Sequence, residues 1–174
     1  MFSKDQLVVY PAQGVGKVER IETQEIGGSV AEFYIVRIMG NNITLLVPVK
    51  TARNVGLRNL SSKPECRKIF ASLKDRSSFT GYTGQNWNRR YREYSERLQT
   101  GALKDSCHVL KELLLISGEK ELSFGERRLL EQAMTLVSTE LAYVLRQEQR
   151  EVQQQIEALF ADVLKPALPE ETRG

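Results

Sequence analysis

The spacing of apolar positions along the chain changes once, near residue 62. Before that point apolar and polar residues alternate or gather in short β-rich runs, whereas after it they recur every three to four residues, as on one face of a helix. Gln6–Tyr10 reads as a first strand, broken by the turn chemistry of Pro11-Ala12-Gln13-Gly14. Val15–Ile26 alternates, with Val18, Arg20, Glu22 and Gln24 on one side and Glu19, Ile21 and Thr23 on the other. Gly27-Gly28-Ser29 permits the positive φ of a tight hairpin. Val30–Met39 follows, with Phe33, Ile35 and Arg37 opposed to Tyr34, Val36 and Ile38. Gly40-Asn41-Asn42 offers a second hairpin turn, Ile43–Val47 a fourth strand stopped by Pro48, and Gly56–Leu60 a fifth. Five short strands on tight turns predict a small bent sheet or open barrel over residues 1–62.

From Ser62, an N-cap followed by Pro64, a helix is expected to about Leu73, then a Ser/Thr/Gly-rich loop over Asp75–Gly84. Asn86–Leu98 and Ala102–Ser117 read as two further helices separated near Gly101, the latter with Leu103, Cys107, Leu110, Leu114 and Ser117 on one stripe. Ser123-Phe124-Gly125-Glu126 matches a capping box and opens a long helix to about Arg146. Val152, Ile156, Leu159, Phe160 and Val163 form one face of a fifth. No Pro or Gly separates the last two helices, so continuity and a bend both remain open, and residues 166–174 read as a frayed tail. The expected class is α+β, a sheet domain at 1–62 followed by an all-α bundle at 63–174, of which 147–174 is a variable extension.

Composition narrows the function. Hydrophobic residues make up 41% and charged residues 27%, values of an ordinary folded protein. There is neither an apolar run of membrane-spanning length nor a leader-like N-terminus, which sets the expectation of a cytoplasmic location with no membrane partner. The net charge of +3 is unevenly spread: +2 over residues 1–62, +4 over 63–146 and −3 over 147–174. A mildly basic middle suits a polyanion held by a local patch. Cys66 and Cys107 lie far apart with no CxxC partner, and the one histidine, His108, stands about 100° around a helix from Cys107. With no nucleophile elbow, phosphate-cradling loop or metal-ligand spacing, the chain is expected to be no enzyme and to take no cofactor, metal or small-molecule substrate.

The most informative stretch is Asn86-Trp87-Asn88-Arg89-Arg90-Tyr91-Arg92-Glu93-Tyr94, which holds the only tryptophan and three arginines. Trp87, Tyr91, Tyr94 and Leu98 share a helical face, and on one reading they are core while the arginines are a solvated surface. On the other, Trp87 in the first turn stands at the rim of the core. There an indole flanked by guanidiniums can lie against an unstacked base or wedge at a distorted step. Arg127 and Arg128, at the start of the fourth helix, form a second basic element suited to phosphate.

These residues carry a family resemblance. Leu7-Val8-Val9-Tyr10-Pro11-x-x-Gly14-x-Gly16, Val47-Pro48 and Val55-Gly56-Leu57-Arg58 resemble the polymerase-interacting domain of the CarD/CdnL regulators, a module shared with the transcription-repair coupling factor. Asn86-Trp87-x-Arg89-Arg90-Tyr91, Leu122-Ser123-x-Gly125-Glu126-Arg127 and the Leu110–Leu114 helix resemble their C-terminal domain, over about residues 1–146 in all. The resemblance implies a Tudor-like N-terminal domain docking on the β-subunit lobe of bacterial RNA polymerase, with Gln24, Ile26 and Leu46 at places comparable to the family's contact side chains. It implies a helical domain on promoter DNA at the upstream edge of the bubble, where Trp87 would enter the minor groove and stabilise the open complex. Arg89, Arg90, Arg92, Arg127 and Arg128 would hold backbone phosphate, and the protein would associate with the nucleoid through the polymerase. The alternative is a protein-only adaptor whose bundle binds another regulator and not DNA.

Overall fold

The computed structural model describes residues 1–81 and 87–164 of the chain. The end of the expected loop, Asn86 of the tryptophan motif and the expected tail lie outside the described residues. Five strands, β1 (Leu7–Tyr10), β2 (Gly14–Ile26), β3 (Ser29–Ile38), β4 (Thr44–Pro48) and β5 (Arg58–Asn59), precede five helices. These are α1 (Lys63–Lys74), α2 (Trp87–Gln99), α3 (Leu103–Ser117), α4 (Phe124–Leu145) and α5 (Gln149–Leu159). The architecture is α+β, with the sheet segment first and the helical segment after it.

The sheet has the order β4-β3-β2-β1-β5, and its pairings are antiparallel. Gly27 and Gly28 both take positive φ, 59° and 80°, in the two-residue turn that joins β2 to β3, a conformation that glycine adopts without penalty. The expected alternation of β2 is broken once. Val18 pairs with Val36 and Arg20 with Ile35, so Glu19 is an extra residue in a bulge. Val18 therefore does not share a face with Arg20, Glu22 and Gln24. It is fully buried, while those three lie on the opposite, outer face. Without the bulge, keeping Val18 inside would also have turned Arg20 into the core, since side chains alternate strictly along a regular strand. The inner face packs Val8, Val18, Tyr34, Val36, Ile38 and Val47 with Phe2 and Leu57. The Phe2 ring meets Tyr34 edge-on at 5.6 Å, and its backbone N–H donates to the Tyr34 hydroxyl at 3.1 Å.

The helices form a second core around Leu73, Leu98, Leu110, Leu113, Ile116, Leu141, Ile156 and Phe160. Capping boxes start α1 (Ser62 with Glu65) and α4 (Ser123 with Glu126); the sequence pattern predicts the second, and at α1 only the Ser62 N-cap. Continuity of α4 and α5 is ruled out by Arg146, which takes a left-handed conformation (φ 55°, ψ 49°) and ends α4 without a glycine. Val152, Ile156 and Phe160 are then folded back into the bundle.

Sheet and bundle meet at a joint of close contacts. Pro11, in the β1–β2 turn, lies between Gly56 and Gly101. A Cβ at those glycines would come within 2.7 Å and 3.0 Å of the Pro11 Cγ. Arg58 of β5 reaches α4, donating to both carboxylate oxygens of Glu140 at 2.9 Å and 2.7 Å, while its Nε donates to the Gly101 carbonyl at 2.9 Å. The Ser61 N–H donates to the same carboxylate at 2.8 Å. Burial works to raise the Glu140 carboxyl, but the Arg58 guanidinium and the Ser61 donor outweigh it and hold the group below the ordinary glutamate range.

Candidate nucleic-acid interface

Helix α2 is anchored by its C-terminal half and emerges from the core toward its N-terminus. Tyr94 and Leu98 are buried, Tyr91 is 43% exposed, and Trp87, at the first helical position, is partly exposed. The aromatic face expected from the helical period thus exists, but only half of it is core. The Trp87 ring is held rather than loose. Tyr91 meets it edge-on at 5.6 Å, and the Lys120 ammonium lies 5.9 Å from its centroid.

Lys120 is itself fixed. Its ammonium pairs at 2.6 Å with Glu126, whose carboxylate also accepts from the Ser123 N–H at 2.8 Å. Burial pushes the Glu126 carboxyl upward, but Lys120 and the Ser123 donors prevail and lower it, so it stays ionised at neutral pH. The capping box of α4 therefore does more than start a helix. It sets the charge that holds Lys120 against the indole. Gly125 brings the same helix end to the Tyr91 ring, where a Cβ would stand 3.5 Å from Cε2.

The arginines divide by geometry. Arg89 and Arg92 are exposed, have no ion pair among the described residues, and line a shallow depression with Trp87 and Asn88. Arg90 is partly buried and donates through Nη2 to the Gly81 carbonyl at 3.2 Å, bracing the preceding loop. Arg127 turns back to the Leu122 carbonyl at 3.2 Å and to Glu121 at 3.3 Å. Arg128 is exposed, with its guanidinium 5.8 Å from the centroid of the Phe124 ring. Of the five, Arg89 and Arg92 thus share the depression with Trp87 and have no ion pair among the described residues.

Sequence reasoning missed Lys120 and Phe124. Lys120 carries no motif of its own. Phe124 could have been found, because it lies about 140° around the helix from the buried stripe Leu129–Ala133–Val137.

On the sheet, the register places Gln24, Ile26 and Leu46 on the same outer face, through the pairs Gln24–Ala31, Ile26–Ser29 and Leu46–Ile35. Ile26 and Leu46 are 58% and 51% exposed. Between them Arg20 and Glu22 form a 2.6 Å ion pair, and the Gln24 amide donates to Glu22 at 3.4 Å. The Cys107–His108 pair has no reactive geometry. His108 Nε2 faces Glu112 at 3.3 Å, and burial pushes the Cys107 thiol up to about 11. Cys66 is likewise pushed up to about 11, by burial and the nearby Glu140 charge. Among the described residues no group of acidic, His and Cys side chains could hold a metal, and no helix is long and apolar enough to cross a membrane.

Comparisons with known proteins align with both halves. Residues 2–61 match the model of the CarD-like/TRCF RID domain, and residues 68–157 match that of the CarD C-terminal domain. The Bacillus subtilis (strain 168) protein named "Putative transcription factor YdeB" is 24% identical over 144 residues, which cover 83% of this chain and 92% of that protein. A solved structure, CdnLNt from Myxococcus xanthus, is 38% identical over 36% of this chain and 89% of its own, with a TM-score of 0.32.

Proposed function

This chain belongs to the CarD/CdnL family of transcription regulators that interact with RNA polymerase, and from that premise we propose that it stabilises open promoter complexes by propping the upstream fork of the bubble with Trp87. Residues 1–62 dock on the β-subunit lobe of the polymerase through the outer sheet face that carries Gln24, Ile26 and Leu46. Residues 63–174 bring Trp87 to the fork, where the indole occupies the space of a collapsing base pair. Arg89 and Arg92 hold phosphate beside it, with Arg127 and Arg128 on the flank and Arg90 chiefly bracing the loop. The chain acts without catalysis and without a cofactor, in the cytoplasm, at the nucleoid with the polymerase.

The observation that carries this reading is a partly exposed indole fixed by Tyr91 and Lys120 next to two exposed arginines that have no ion pair among the described residues. A pre-held ring loses little freedom when it meets a base, so more of the roughly 1–3 kcal/mol of stacking is available to shift the melting equilibrium. Trp87→Ala is expected to leave capture by the polymerase β-lobe intact and to shorten open-complex lifetime about tenfold. A lifetime equal to the parent's, with polymerase capture retained, rejects the wedge.

A further inference from the structure

Phe124 occupies the position that the Leu122-Ser123-x-Gly125-Glu126-Arg127 pattern leaves open, and it is the most exposed aromatic among the described residues, at 77%. A phenylalanine in water at the first position of a capped helix does nothing for the bundle core, which α4 contacts through Leu129, Ala133 and Val137. Nor is it isolated. The Arg128 guanidinium, one turn on, stands 5.8 Å from its centroid. Gly125, its neighbour, faces Tyr91, and Tyr91 in turn meets the Trp87 ring at 5.6 Å. Trp87 and Phe124 therefore lie at one end of the bundle, on either side of the Tyr91–Gly125 contact.

The surroundings define what can cover such a ring. The nearby cations are Lys120, Arg127, Arg128, Arg89 and Arg92. Among the acids near this end, Glu121 and Glu126 pair with Arg127 and Lys120 at 3.3 Å and 2.6 Å and Glu93 with Arg97 at 3.5 Å, while Arg89, Arg92 and Arg128 make no ion pair among the described residues. An apolar protein surface would leave Arg128, Arg89 and Arg92 facing it without counter-charge. A nucleotide supplies a flat π-face for the ring and a phosphate for the adjacent guanidinium in one unit. We propose that Phe124, backed by Arg128, is a second aromatic contact for DNA, stacking on an unpaired base beside the fork that Trp87 engages. This rests on the reading of Trp87 given above and adds to it a distinct residue, a distinct nucleotide and a preference for single-stranded over paired DNA.

The test uses the full chain, a fluorescently labelled fork-junction DNA with an unpaired arm, and a fully paired duplex of the same length, titrated at low and moderate salt. Phe124→Ala is expected to weaken fork binding about fivefold or more, at unchanged duplex affinity and unchanged salt slope, because no charge is lost. Phe124→Trp is expected to restore fork binding. If Phe124→Ala binds the fork like the parent while Trp87→Ala loses affinity, the second contact is overturned and the Trp87 reading stands. If the parent does not distinguish fork from duplex, both fall. If fork binding is unchanged but capture by polymerase is lost, Phe124 is a protein contact and the proposal is wrong.

Discussion

The joint between sheet and bundle yields the sharpest energetic prediction. Glu140 is a charged group on α4 whose side chain is only 4% exposed, and its carboxylate accepts from Arg58 twice and from the Ser61 N–H. Arg58→Met removes the cation and both of its hydrogen bonds, leaving a buried carboxylate with one backbone donor. Uncompensated buried charge of this kind costs about 3–5 kcal/mol. Glu140→Gln is the milder change. Arg58 is 27% exposed and keeps the carbonyls of Gly101 and Asn59, at 2.9 Å and 3.0 Å, so water and backbone can serve what the carboxylate leaves. A loss of about 1–2 kcal/mol is expected there. The double replacement Arg58→Met with Glu140→Leu removes the charge problem altogether, and should recover most of the loss of the first single variant. Urea unfolding followed by far-UV circular dichroism, with linear extrapolation, measures all four proteins. The reasoning is refuted if Arg58→Met stays within about 1 kcal/mol of the parent, or if the double variant is no more stable than Arg58→Met, since the harm would then not be an orphaned charge.

Further expectations follow from the same geometry. Glu140 and Glu126 both have folded-state pKa values below the ordinary glutamate value of about 4.3, so their contribution is full above that pH and is lost as pH falls from there through the lowered values. Unfolding free energy measured between about pH 6 and pH 3 should drop on the acid side, and Glu140→Gln should flatten that drop. Arg89→Ala and Arg92→Ala should each lower the salt slope of DNA binding by about 0.9, whereas Arg90→Ala, which loses a loop brace, should change the slope less. Cys66 and Cys107, both buried with thiols pushed up to about 11, should be inert to a thiol reagent at neutral pH in the folded protein and react on denaturation.

Much of the architecture was legible because it is written locally. Period change, Gly-Gly turn, the Ser62 N-cap and the Ser123–Glu126 capping box each involve residues within four positions of one another, and each stands within a residue or two of its expected place. The bulge at Glu19 was not legible, because alternation through Val18 and Arg20 looks regular until the partner strand fixes which of them is inside. Arg146 shows the same limit at a helix end. A left-handed cap usually announces itself as glycine, and here the return of Val152 and Ile156 to the core imposes it on an arginine. At the candidate interface, sequence placed Trp87 and its arginines on one segment but could not rank them. Which guanidinium is spent on a carbonyl and which is free depends on Gly81 and Leu122, residues with no signature of their own.

A basic patch of this size raises a question of affinity that the joint helps to answer. Three exposed arginines that have no ion pair among the described residues, Arg89, Arg92 and Arg128, and one or two aromatic contacts give weak binding on their own. Gly14 of β2 touches Leu136 of α4, and the β2–β3 turn lies about twelve residues farther along, roughly 40 Å at 3.3 Å per residue. Trp87 lies fourteen residues before Gly101, about 20 Å along α2. Candidate polymerase contacts and candidate fork contacts therefore sit on two elements that run out from a joint locked by Pro11 and by the Arg58–Glu140 pair. On the reading proposed here, docking on polymerase converts the fork contact into an intramolecular one, at an effective concentration of about millimolar when the geometry spans the two sites. A hinge at the joint would spread that concentration over orientations that miss the DNA. A stiff joint keeps it, so a fork contact with a dissociation constant near millimolar can still be substantially occupied, and its loss on Arg58→Met should exceed the loss of either binding step measured alone.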